Sequence, residues 1–500
     1  MTKKRIIVIG AGIAGLSAGI YSQMNGYDSE IFELNHSPGG LCTSWTRKGY
    51  TFDGCLDWLT GSAPDGMMYP LWEEVGAIQN NHFLYENEYC RYVDTDGYEV
   101  IFHLDIDKLE KELLQISKDD SDMIAELCDI IRTLKGFKPM VSKAMEVMNP
   151  IDYIKFILDV ILNFKKFSTF LKYGKISMGE YSLKFKSERI KKMLSVIWNP
   201  EIPMALFASI MAWCSSRTAG FPQGGSLKFA KDIEKRYLEL GGTIHYNSKV
   251  DKISVIDHKV NGITLSKGDF VPADMVISCS DGYSTIYNML GGKYLTEKIV
   301  DWYSNMTSFP PYIQISFGVN RDMSADPRLR YLKLDVPLKI AEKDIDYMIL
   351  HNYSFDKTLA PEGKTSFVVR YFSDFTYWQN LYKDIEKYNK EKENLANITI
   401  QKLENLYPRI SDQIETIDVA TPTTYVRYTE TWRGATMSWL PTAANFGKNI
   451  EKTIPGLADF YMAGQWLIPG GGVPNALKTS RDVLQIICKK DKKCFTNLGD

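Results

Sequence analysis

After Arg5, Ile6-Ile7-Val8-Ile9 is an apolar, β-branched run without a polar break, which predicts a strand over 5–9 buried in a parallel sheet. Helical spacing follows over residues 16–25, and 29–33 reads as a second strand ending on Glu33. Far along the chain, 228–240 is helix-like, and 243–246, 250–253, 260–265 and 275–278 read as strands. The stretch 104–217 is mainly helical in pattern with few turn signals. Alternation returns at 313–319, 347–350 and 366–371, which predicts strands of one sheet. Lysine and glutamate crowd 378–407, where exposed helices are expected. The chain closes on a short strand from Phe460, a glycine-rich turn and a helix to about Cys488.

A chain of 500 residues exceeds one hydrophobic core and implies two domains. Its 44% apolar and 24% charged content is that of an ordinary globular protein. A net charge of −2 gives no electrostatic case for a nucleic-acid partner. The eight cysteines form no CxxC pair or His-rich cluster, so no metal is expected, and free thiols in a reducing cytoplasm are the plain reading. Lys3, Lys4 and Arg5 before an apolar stretch imitate a signal peptide, but glycines interrupt it, so it reads as mature sequence. No run of about 18 apolar residues is present to span a membrane.

The first strand runs into Gly10-Ala11-Gly12-Ile13-Ala14-Gly15 and a helix, with Glu33 closing the next strand. In that setting GxGxxG predicts dinucleotide binding. Gly10 serves the tight turn, Gly12 the approach to a pyrophosphate, and Gly15 the packing of helix on strand. Ile13 and Ala14 open the helix, whose N-terminus suits phosphate. Glu33 is placed to accept from an adenosine ribose and would repel a 2′-phosphate. A second glycine pair, in Pro38-Gly39-Gly40-Leu41-Cys42, would let backbone pass close to a bound cofactor.

With Ala463-Gly464-Gln465-Trp466 and Pro469-Gly470-Gly471-Gly472-Val473 near the C-terminus, the pattern resembles the phytoene desaturase, carotenoid isomerase and retinol saturase group of FAD enzymes, within the flavin amine oxidase superfamily. Phe221-Pro222-Gln223-Gly224-Gly225-Ser226, Gly241-Gly242-Thr243 and Thr421-Pro422 extend the resemblance over nearly the full length; it is weakest from 76 to 215. It implies an α/β chain. A Rossmann-like FAD-binding domain from 1–75, 218–300 and 453–500 is interleaved with an α+β substrate domain from 76–217 and 301–452. That second domain carries a mixed sheet and a helical cap over 104–217. The resemblance also places Val250 at the adenine and aims the helix at Gly472 and Val473 toward the flavin pyrimidine. Gln465 departs from it, since relatives often carry an acid there.

The implied activity is desaturation, saturation or isomerisation of C–C bonds in an apolar polyene or isoprenoid-like molecule, by hydride exchange at flavin N5. No second GxGxxG is present, so electrons pass to or from an external partner. Nothing resembles the covalent FAD attachment segment of monoamine oxidases, and non-covalent FAD is expected. Asp53, Asp57 and Tyr425 are weak catalytic candidates: solvated loop acids are the plainer reading of the first two, an ordinary strand that of Tyr425, Arg427 and Tyr428. Residues 151–171 pattern as an amphipathic helix and open a basic stretch to 192, a candidate for peripheral membrane contact; a surface helix packed on its own domain is the plainer reading. An amine oxidase using oxygen and a non-enzymatic prenyl-lipid binder, as in the Rab GDP-dissociation inhibitors, are the rival readings.

Overall fold

The computed structural model describes residues 3–138 and 143–498; residues 1, 2, 139–142, 499 and 500, at the termini and within the stretch read as helical, lie outside it. One sheet is entirely parallel and draws on distant parts of the chain. Its order is Thr243–His245, Asp28–Phe32, Arg5–Ile9, Met275–Ser278 and Phe460–Met462. Arg5–Ile9 sits at the centre with Ile6, Ile7 and Val8 fully buried, as its unbroken apolar run requires.

Helices Ile13–Met24, Gly225–Glu239 and Gly472–Lys490 pack on one face of this sheet. The last is fastened by buried charge. Arg481 Nε and Nη2 donate to the two Glu74 oxygens at 2.7 and 3.0 Å, and Tyr21 Oη donates to the same carboxylate at 2.6 Å. On the other face lies an antiparallel layer, Val250–Ile256, Lys259–Leu265 and Phe270–Pro272. Val250 therefore belongs to a different sheet from residues 243–245.

The second large sheet has seven strands in the order Ile414–Ala420, Tyr312–Val319, Thr365–Phe372, Lys343–Asn352, Leu329–Ile340, Glu88–Val93 and Glu99–His103. It is mixed: all neighbours are antiparallel except Leu329–Ile340 with Glu88–Val93. Helices between Ile106 and Ser215 pack around its far end, and Ile385–Leu406 covers the opposite face.

Several expectations need correction. Residues 378–407 are not simply exposed: Trp378 is fully buried and Tyr388, Leu395 and Leu403 face the sheet. Tyr425 is on a helix, Pro422–Thr429, begun by a Thr421–Thr424 capping box and Pro422 in its first turn. The amphipathic stretch breaks at Asn163 into Pro150–Leu162 and Phe164–Tyr173. No residue of the first helix is fully buried; it touches the fold through Phe156 against Phe167 and the Lys143–Asp152 ion pair. Among the described residues no helix is long and apolar enough to cross a membrane.

Candidate cofactor and substrate site

The turn after the first strand is held from several sides. Gly10 N donates to Phe32 O at 2.8 Å and Gly39 N to Ala11 O at 2.9 Å, which brings the two glycine motifs together as a Gly12–Gly39 bridge. Glu33 is buried and doubly engaged. Its Oε2 accepts from Ala11 N at 2.6 Å, and its Oε1 from Asn35 N at 2.8 Å. Burial pushes the Glu33 carboxyl up from its ordinary value against these hydrogen bonds. The acid thus also ties the glycine turn to the second strand. Oε1 also accepts from Asn35 Nδ2 at 3.1 Å, so Oε2 is the oxygen that keeps acceptor capacity for a ribose hydroxyl.

The glycines divide by what a side chain would meet. A Cβ on Gly15 would sit 1.8 Å from Gly10 O, so this residue is needed for the fold itself. A Cβ on Gly12 would meet only Gly39 O, at 3.7 Å, so its bareness serves the cleft. Gly10, Gly12, Ile13, Ala14, Glu33, Gly39, Gly40, Leu41, Val250, Gly464, Gln465, Gly472 and Val473 all line one cleft of about 630 Å³. Gly15 and Tyr425 are not among its walls.

The opposite end of the cleft is built on Gln465 and the turn at Gly472. Gln465 Oε1 accepts from Gly472 N at 3.2 Å, so the amide caps the last helix and leaves Nε2 to donate. Pro474 has no N–H, and Val473 carries the first-turn backbone donor that neither Gln465 nor proline removes. Gln465→Glu keeps the accepting oxygen and adds a charge. If the helix end faces the flavin pyrimidine, the variant's bound flavin should show a lower reduction potential, by about 30 mV for each 1.4 kcal/mol of repulsion. Spectroelectrochemical titration checks this; an unchanged potential would place the helix end away from the ring. The variant is preferable to Gly472→Ala or Gly472→Asp, because Gly472 has φ +79°, where any side chain is strained.

From that turn the cleft continues into an apolar arm. Leu206, Ile210 and Trp213 come from one face of helix Met204–Ser215, and Trp198, Ile202 and Phe309 join them. That helix is apolar on all sides, which periodicity alone reads as core; one side in fact packs on neighbouring helices and the other lines the arm. It lies within the part of the chain where the sequence pattern was least specific.

Neither aspartate is a solvated loop acid. Asp53 is fully buried and accepts from Ser226 N at 2.6 Å, Ser226 Oγ at 2.7 Å and Cys55 N at 3.0 Å, stapling the end of strand Tyr50–Asp53 to helix Gly225–Glu239. Asp57 does reach the cleft. Its Oδ1 lies 3.3 Å from His351 Nδ1 and its Oδ2 3.5 Å from Arg370 Nη1. Burial opposes its ionisation, yet His351, Arg370 and Arg328 hold its carboxyl well below the usual range. Burial and Arg370 hold His351 below its ordinary value, against the opposing pull of Asp57. Cross-strand register builds the cluster, because Arg370 is paired directly with Gln314, whose Oε1 accepts from Arg370 Nε at 3.1 Å. His351 and Arg370 were missed in sequence; their signal was the polar alternation of Gln314, Ser316 and Arg370 along strands that are buried on both faces. Tyr425 stands behind Tyr312, edge-on at 5.5 Å, and only Tyr312 lines the cleft.

Residues 8–75 match the model of the NAD(P)-binding Rossmann-like domain. The chain is 22% identical to a phytoene desaturase (lycopene-forming) of Pseudescherichia vulneris, covering 96% of this chain and 98% of that protein. It is 24% identical to a chloroplastic prolycopene isomerase of Arabidopsis thaliana, over 93% of this chain and 80% of the other. Among solved structures, cyclohexylamine oxidase from Brevibacterium oxydans superposes with a TM-score of 0.61 at 12% identity, over 98% of this chain and 100% of that one. The mixed α/β fold with its Rossmann-like sheet is thus shared with flavin amine oxidases, and the full-length sequence resemblance is to carotenoid desaturases and isomerases.

Proposed function

We propose that this chain is an FAD-dependent oxidoreductase acting on C–C bonds of an apolar polyene or isoprenoid-like substrate. One observation carries the reading: the glycine-lined dinucleotide crevice is continuous with an apolar arm walled by Trp198, Ile202, Leu206, Ile210 and Trp213. The bare backbones of Gly12 and Gly40 and the helix end at Val473 fit a dinucleotide whose reactive end lies toward that arm. A flavin, when bound, supplies hydride exchange with a substrate carbon.

In this reading Gly10, Gly12, Ile13, Ala14, Gly39, Gly40 and Leu41 hold the pyrophosphate and its flanks, with Gly15 keeping their turn closed. Glu33 takes the ribose and Val250 the adenine. Gly464, Gln465, Gly472 and Val473 hold the flavin end. The three stretches 1–75, 218–300 and 453–500 form the FAD-binding domain, and the rest the substrate domain. The tryptophans and aliphatic side chains of the arm orient the substrate and exclude water. Asp57, ionised and fixed by His351 and Arg370, holds charge at the arm's polar end. Binding is non-covalent, with Cys488 and Cys494 away from the cleft; Cys42, Cys55 and Cys279 line it as free thiols.

The exposed helix Pro150–Leu162 is where the protein meets a lipid surface and collects substrate. Ile154, Ile157 and Ile161 are each more than half exposed, and Lys155, Lys165 and Lys166 flank them. Electrons enter or leave through an external partner.

The reading is tested by anaerobic titration of the holoprotein with conjugated polyenes and with alkyl amines, following the flavin band. Bleaching by a polyene, or reoxidation of dithionite-reduced flavin by one, is expected. Bleaching by amines alone would make the protein an amine oxidase, the alternative that the shared fold leaves open.

A further inference from the structure

The polar end of the apolar arm has a donor that the protein does not use. Arg370 lines the cleft, is only 7% exposed, and is surrounded by Tyr312, Asp57, His351 and Gln314. Its Nε donates to Gln314, and its Nη1 lies 3.5 Å from both Asp57 Oδ2 and His351 Nε2. Among the described residues, Nη2 has no hydrogen-bond partner.

We propose that Arg370 forms a subsite for an oxygen-bearing end group, such as a hydroxyl or carboxylate, on the otherwise apolar substrate. This rests on the reading of the cleft as the site of an apolar chain. A pure hydrocarbon would leave a buried guanidinium N–H unpaired, at a cost that an oxygen acceptor removes. Asp57 balances the charge of Arg370, so even a neutral oxygen is accommodated without a second counter-ion. His351 cannot take the spare donor: its Nδ1 faces Asp57 and its Nε2 already faces Nη1. The planar fork is fixed by three partners, so the remaining N–H has a set direction and can select for the end of the chain that enters.

The test uses FAD-loaded protein and three probes of equal length: a conjugated C20 polyene hydrocarbon, its terminal alcohol and its terminal carboxylate. Dissociation constants are read from the quenching of tryptophan fluorescence. The oxygenated probes should bind about ten- to a hundredfold more tightly than the hydrocarbon, the range for a hydrogen bond from a charged donor. Arg370→Met should bring the hydrocarbon and the alcohol to near parity. Because Arg370→Met leaves Asp57 with His351 alone and weakens the fold, Arg370→Lys is the second test: it keeps the charge beside Asp57, removes the fork and should lose most of the preference for the alcohol. Equal binding of hydrocarbon and alcohol by the parent protein, or a preference that survives in either variant, would overturn the subsite while leaving the polyene reading standing. Failure of all three probes to bind FAD-loaded protein would overturn both.

Discussion

Gly12→Val should yield a folded, colourless protein. At Gly12 the backbone is extended, with φ −66° and ψ 176°, so a side chain adds no conformational strain. Its Cβ would have one neighbour, Gly39 O at 3.7 Å, and the branched methyl groups would then fill the cleft between the two glycine motifs. Flavin should therefore be lost with little change in the thermal midpoint of the apoprotein. Gly15→Val should behave in the opposite way. A Cβ placed 1.8 Å from Gly10 O must drive the first helix off the first strand, an overpacking cost of at least about 3 kcal/mol, and soluble protein should fail to accumulate. Flavin absorbance and circular-dichroism melts separate the two. A Gly12→Val protein with full yellow colour would show that the pyrophosphate does not pass there.

Membrane association should collapse when the exposed helix is made polar. Replacing Ile154, Ile157 and Ile161 together by glutamate removes three apolar side chains that are each more than half exposed. At about 1–2 kcal/mol for each, the loss is on the order of 3–6 kcal/mol, or more than a hundredfold in partition to anionic vesicles. The thermal midpoint and flavin content should be unchanged, since no residue of Pro150–Leu162 is buried. Co-sedimentation with vesicles measures the effect. If the parent protein stays in the supernatant, or the triple variant sediments equally, the helix has another purpose.

The parts of the site that were legible are those made by short stretches of chain. The strand, glycine turn and helix over residues 5–24 depend on local pattern, and so does the turn opening at Gly472. The helix at Pro422 also carried a local signal, threonines three apart around a proline, outweighed by the aromatic and charged pattern of Tyr425, Arg427 and Tyr428. Other features were out of reach because their partners are remote. Asp53 reads as a loop acid until Ser226, 173 residues away, donates to it. The polar face of Gln314, Ser316 and Arg370 looks like the solvent side of a half-buried strand, and only the packing of one sheet beside the cleft turns it inward. The helix at 204–215 shows the same limit in apolar form, since a cleft wall and a core contact have one composition.

The central claim is flavin chemistry on a carbon–carbon bond of a polyene. The most direct measurement is product analysis by chromatography and mass spectrometry after incubating FAD-loaded protein with a series of conjugated polyenes, with a quinone or a reduced flavin carrier as external electron partner. The expected product differs from its substrate by two hydrogens or by double-bond geometry alone, forms only when FAD is bound and is absent with Gly12→Val. Recovery of every polyene unchanged, together with turnover of amines to aldehydes, would contradict it.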